Sequence, residues 1–117
     1  MKIQVNTDRN VHGGEQLKDE VRQVVGATLD RFSDRLTRVE AHLSDDNSSA
    51  KGGADDMRCV LEARVAGANP MSVSHSAATL KEAVAGAADK LETVLQRHFD
   101  RQGQVKGRLS YGGAEAD

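Results

Sequence analysis

The feature that most limits what this chain can fold into is a change of hydrophobic period along its length. Ile3 and Val5 alternate with polar neighbours. Leu17, Val21, Val24, Val25, Leu29 and Phe32 then recur at helical spacing. Val39, Ala41 and Leu43 alternate again, and so do Met57, Cys59, Leu61, Ala63 and Val65. A shorter extended run covers Met71 to Ser74. Helical spacing returns with Leu80, Val84, Ala87, Ala88, Leu91, Leu95 and Phe99. A period of two marks a strand, and one of about 3.6 marks a helix. The order is therefore β-α-β-β-β-α.

Connection rules turn that order into a fold. A strand, a helix and a strand in series form a right-handed βαβ unit with parallel strands. Short turns make the second, third and fourth strands an antiparallel meander. Both helices are amphipathic and need an apolar face to cover, which the sheet supplies. The expectation is an α+β fold, a two-layer sandwich with a four-stranded mixed sheet and both helices on one face. The other sheet face carries Arg38, Glu40, His42, Arg58, Val60, Glu62 and Arg64 and is expected to stay wet.

Boundaries follow from local chemistry. The strands are expected at Lys2 to Asn6, Leu36 to Ser44, Met57 to Ala66 and Met71 to His75. The first helix is expected from Glu15 to Phe32, with Gly26 as a weak point in its interior. Asp45 to Asp56, rich in Asn, Ser, Gly and acids, reads as a long solvated hairpin loop. Thr79-Leu80-Lys81-Glu82 has capping-box spacing, so the second helix should start near Leu80 and reach about Asp100. Residues 1–101 form the folded domain on this reading. Residues 102–117, with few large apolar side chains, are expected to be a mobile Gly-rich tail.

With 117 residues the chain has room for one two-layer core. Its net charge of −2 announces no polyanionic partner, but the charge is unevenly spread. Residues 97–108 hold four bases, Arg97, Arg101, Lys106 and Arg108, against Asp100 alone. Cys59 is the only cysteine, which rules out an intrachain disulfide and fits a reducing compartment. The first strand starts almost at Met1, and no apolar run approaches spanning length. A soluble, cytoplasmic protein is expected, with no membrane partner.

Two blocks carry a resemblance. Arg31-Phe32-Ser33-Asp34-Arg35-Leu36-Thr37-Arg38-Val39-Glu40-Ala41-His42-Leu43-Ser44 resembles the helix-to-strand junction of the ribosome hibernation-promoting factor and ribosome-associated inhibitor family, also called the sigma-54 modulation proteins. There a basic residue and an aromatic precede Asp-x-Ile-Thr-x-Val, and Leu-Ser follows. Ala88-Asp89-Lys90-Leu91-Glu92 resembles the same family's second helix, and Glu15-x-Leu17-Lys18 the start of its first. The resemblance spans about Met1 to Asp100 and corresponds to the short form. It implies a non-enzymatic factor that binds the small ribosomal subunit, at 16S ribosomal RNA in the channel of messenger and transfer RNA, and inhibits translation under stress. Thr93, Val94, Gln96 and Phe99 stand where the family's second helix is often basic or polar. This thinning keeps a second class of function in play, a protein-interaction module of the same fold that has lost the RNA.

The residues that would carry RNA binding are basic. Lys18 and Arg22 lie four apart on the first helix and share a face. Lys90, Arg97 and Arg101 are seven and four apart on the second and share another. The two sets are expected to flank one groove between the helices, where phosphates would sit. Against this, Lys18 can pair with Glu15, and Arg97 with Asp100 or Thr93, as ordinary solvated charges. Catalysis has little behind it. His12, His42, His75 and His98 are scattered, with no metal-ligand spacing. Cys59 has core parity and reads as a small buried hydrophobe. No cofactor, metal or small-molecule substrate is expected. An exposed edge strand would offer a route to a homo-oligomer.

Overall fold

The computed structural model describes residues 1–45 and 56–111, with side chains up to residue 102. Four strands, β1 (Lys2–Thr7), β2 (Leu36–Asp45), β3 (Met57–Val65) and β4 (Met71–Ala77), form one sheet in chain order. β1 runs parallel to β2, with Ile3 opposite Val39 and Val5 opposite Ala41. β2, β3 and β4 are antiparallel, with Leu61 between Ala41 and Val73. The helices α1 (Gly14–Thr28) and α2 (Leu80–Tyr111) pack on one face of the sheet, α1 against β1 and α2 against β3 and β4. This is the two-layer α+β arrangement that the periodicity implies.

The core forms where the inward residues of the sheet meet the apolar stripes of the helices. Val39, Ala41, Leu43, Cys59, Leu61 and Ala63 from the sheet meet Val21, Val25, Ala87, Leu91 and Leu95 from the helices. A register shift between Leu36 and Arg38 breaks the strict alternation of β2. It turns Leu36 into the core although its parity matches Arg38.

The ends of the elements depart from the sequence reading by more than one residue in three places. The α-helix of α1 stops at Thr28, and a 3-10 turn over Asp30–Phe32 carries the chain on to β2. β4 continues to Ala77, which is buried against the start of α2. The largest difference is α2, which runs past the expected end at Asp100 to Tyr111. Between Gln102 and Tyr111 there is no proline to end it, and Gln, Lys, Arg and Leu are good helix formers. Gly103 and Gly107 weaken the helix by about 1 kcal/mol each without forbidding it. At 32 residues α2 is about 48 Å long. Of the expected loop, residues 46–55 lie outside the described residues, as do residues 112–117 of the expected tail.

Three glycines are fixed by geometry. Gly13, just ahead of α1, and Gly14, its first residue, have φ of 142° and 56°, where a side chain is strained. They make the turn into the helix. Gly86 on α2 faces the His75 ring of β4: a Cβ there would lie 2.7 Å from His75 Cγ and closer still to Cδ2 and Nε2. The absence of a side chain at Gly86 lets the helix sit down on that ring. Gly26, by contrast, leaves a Cβ an ordinary 3.5 Å from Ile3 Cδ1.

Candidate nucleic-acid interface

The starting residue of α2 is set by Thr79. Its hydroxyl oxygen accepts the Glu82 backbone N–H at 3.1 Å, and the hydroxyl donates to the Glu82 carboxylate at 3.2 Å. That fixes which side of the following turns faces solvent. The buried stripe Ala83, Val84, Ala87, Ala88, Leu91 and Leu95 faces the sheet. Glu92, which meets Arg31 Nε at 3.4 Å, and Phe99, whose ring lies 5.4 Å from that of Phe32, mark the side turned toward α1.

Lys90, Arg97 and Arg101 lie on the opposite flank, toward β4, and all three are exposed. Lys90 Nζ donates to the Ser74 carbonyl of β4 at 2.9 Å, which pins its side chain along the sheet edge. Arg101 Nε lies 3.4 Å from the Arg97 carbonyl. Among the described residues none of the three has a carboxylate partner. The sequence offered Asp100 or Thr93 to Arg97, but Asp100 accepts from Gln96 Nε2 at 2.6 Å, and Thr93 donates to the Asp89 carbonyl. The stripe therefore keeps its positive charge unneutralised over about 16 Å of helix.

Lys18 and Arg22 are placed differently. Lys18 Nζ is 3.8 Å from Glu15, and Arg22 Nη1 is 2.6 Å from Asp19. Both lie on the side of α1 turned away from α2, because Leu17, Glu20 and Val24 occupy the side that faces it. The expected single groove flanked by the two basic sets is not formed. The groove between the helices, about 430 Å³, is lined by Leu17, Val21, Val24, Leu80 and Val84 together with the polar Glu20, Gln23 and Lys81. Helical spacing correctly grouped the residues within each helix. It contained nothing about which way each helix would be rolled on the sheet.

The open sheet face is polar, as expected, and several of its charges are paired within it. Register places Lys2, Arg38 and Arg64 in one row and Glu40 and Glu62 in the next. Arg38 Nε is 2.9 Å from Glu40, His42 Nε2 is 3.4 Å from the same carboxylate, and Arg64 is 3.9 Å from Glu62. Arg38 also donates to Gln4 Oε1.

Two basic residues that the sequence reading did not single out as contacts are arranged on aromatic rings. The Arg31 guanidinium carbon lies 4.4 Å from the Phe32 ring centroid, and that of Arg35 lies 4.5 Å from the Phe99 centroid. The available signal was Arg-Phe-x-x-Arg between α1 and β2, but the Phe99 partner is distant in sequence.

Among the described residues no group of three or more His, Cys, Asp or Glu side chains could hold a metal ion. Cys59 is fully buried, and desolvation pushes its thiol up to about 12. It is held as the inert thiol. No described helix is long and apolar enough to cross a membrane.

Comparison with known proteins supplies the family. The family described as sigma 54 modulation protein / S30EA ribosomal protein matches residues 4–103. The chain belongs to this family. The description is of a ribosomal protein and a modulator, not of an enzyme. Among solved structures, the N-terminal domain of Protein Y from Thermus thermophilus is similar at 26% identity, with a TM-score of 0.66 over 84% of this chain and 99% of that one. A ribosomal subunit interface protein from Coxiella burnetii shares the fold at 14% identity, with a TM-score of 0.63 over 86% of this chain and 99% of that one. No curated protein matches. The family assignment agrees with the resemblance drawn from the Arg31 to Ser44 and Ala88 to Glu92 blocks.

Proposed function

We propose that this protein is a ribosome-associated hibernation or stress factor. On this reading it binds the small ribosomal subunit at 16S ribosomal RNA, in the channel used by messenger and transfer RNA, and so inhibits translation. It acts by occupancy, without catalysis. The observation that carries the reading is the exposed stripe Lys90, Arg97 and Arg101, which has no carboxylate partner among the described residues. Phosphate contact needs cations whose charge is not already spent, and this flank of α2 supplies them. Family membership supports the ribosome as the place of action, since the family description names a ribosomal protein. Lys18 and Arg22 have the smaller part, because Glu15 and Asp19 already neutralise them.

A test is sucrose-gradient co-sedimentation with ribosomes from stationary-phase cells across a range of salt. Association with particles containing the small subunit, fading steeply as salt rises, is expected. Replacing Lys90, Arg97 and Arg101 together by Glu should abolish it and leave the circular dichroism spectrum unchanged. Normal co-sedimentation of that triple variant would remove the proposed contact surface. Absence of the wild type from every ribosomal fraction at low salt would favour the other reading, a protein-interaction module. The net charge of −2 and the neutralised cations of α1 speak for that second reading.

A further inference from the structure

The end of the molecule where α1 passes into β2 holds charge and aromatic surface together. Phe32 is buried, and its ring meets that of Phe99 at 5.4 Å, tilted by 33°. His98 packs edge-on against Phe99 at 5.1 Å. Arg31 and Arg35 lie over the two phenylalanine rings, and both are exposed.

Arg35 is the decisive member. Its backbone is fixed at both ends: its N–H donates to the Phe32 carbonyl at 2.9 Å, and its carbonyl accepts from the Ala66 N–H at 3.2 Å. Its guanidinium is held over Phe99, yet among the described residues it makes no side-chain hydrogen bond or ion pair. A guanidinium carries five donors in a planar fork. Here the fork is positioned and its donors are unspent. Arg31 gives only its Nε to Glu92, at 3.4 Å, and its side chain remains 54% exposed.

We propose that Arg35, supported by Arg31, forms a stacking platform for an unpaired nucleobase of single-stranded RNA. One side of the guanidinium lies on Phe99, the other receives the base, and the free N–H groups reach the adjoining phosphate. Unpaired bases stack on guanidinium planes as they do on aromatic rings. A guanidinium already held on a ring loses less freedom in doing so. Double-stranded RNA would not satisfy the platform, because its bases are stacked on one another. The platform lies on the α1-facing side of α2, across the helix from Lys90, Arg97 and Arg101. It would therefore add base contact to a phosphate-binding protein rather than extend the same stripe. The inference rests on the RNA-binding reading above.

The test uses the full chain and a short single-stranded oligouridylate, whose bases stack only weakly on one another, carrying one 2-aminopurine, a fluorescent base that dims on stacking. Titration with wild-type protein should quench the fluorescence. Arg35→Lys keeps the charge and loses the plane. It should weaken binding about tenfold and remove the quenching, while the dependence of affinity on salt is retained. Arg35→Ala should lose the quenching as well and show a shallower salt dependence. Quenching and affinity equal to wild type in Arg35→Lys would overturn the platform, and so would equal competition by duplex RNA of the same length. Wild type that co-sediments with ribosomes yet neither binds nor quenches the oligomer would refute the platform alone. Failure in both assays would remove the RNA-binding reading with it.

Discussion

The contact between Gly86 and His75 gives a prediction whose sign can be reversed at will. Replacing Gly86 by Ala in an exposed helix would stabilise it by about 1 kcal/mol through propensity alone. Here the new Cβ would lie 2.7 Å from His75 Cγ, and closer to two other ring atoms, where carbon atoms ordinarily stay about 3.5–4.0 Å apart. The ring is half-buried between β4 and α2, so moving it aside also costs packing. Overpacking of this kind costs about 1–3 kcal/mol. Taking about 2–3 kcal/mol for a contact this close and subtracting the propensity gain, Gly86→Ala should destabilise by about 1–2 kcal/mol. At about 4–8 °C per kcal/mol for a domain of this class, Tm should fall by roughly 4–16 °C. In a His75→Ala background the obstacle is gone and only propensity remains. There Gly86→Ala should raise stability by about 1 kcal/mol. Urea unfolding of the four proteins completes the cycle, with the coupling read from the difference. A stabilising Gly86→Ala in the presence of His75 would refute the reasoning, because the helix would then have room that the geometry denies it.

Other outcomes follow from the same contacts. Cys59, its thiol pushed up to about 12 by burial, should not react with a maleimide at neutral pH unless the protein is unfolded. The unfolded thiol ionises near 9.0 and the folded one only near 12, so the unfolded state binds fewer protons between those values. Stability should therefore fall as pH rises through that window, by at most about 1.4 kcal/mol per pH unit, and Cys59→Ala should lack this component. Thr79→Ala removes the acceptor for the Glu82 N–H and should cost about 1 kcal/mol in denaturant unfolding. Lys18→Glu with Arg22→Glu should weaken ribosome co-sedimentation less than the triple change on α2, since Glu15 and Asp19 already offset the α1 cations.

Much of the fold was legible because it depends on local period. The alternation of Cys59, Leu61 and Ala63 placed them in the core, and all three are fully buried. The Thr79–Glu82 spacing located the start of α2, and the hydroxyl makes the predicted bond. The end of α2 was not legible, because Gly103 and Gly107 read as stop signals but only weaken a helix, and no proline stands in residues 102–111 to forbid it. The site was legible in part. Spacing grouped Lys90 with Arg97 and Arg101, but whether a cation is spent depends on acids that the fold brings near, and how a helix is rolled depends on the sheet beneath it. The Arg35 and Phe99 pairing joins residues far apart in sequence and has no local signature.

The pairing of β1 with β2 has a consequence for synthesis. The hairpin pairs of β2, β3 and β4 join neighbours along the chain, whereas Lys2 must find Arg38 across the whole of α1. Non-local pairing closes a longer loop and comes at a greater entropic cost, so the meander is the natural early structure. Translation at about 5–20 residues per second takes roughly 2–7 s to travel from Lys2 to Arg38. For that interval Ile3 and Val5 are a strand without a partner. β1 is made before its partner and docks late, so the nascent chain is most exposed to mispairing at its first strand.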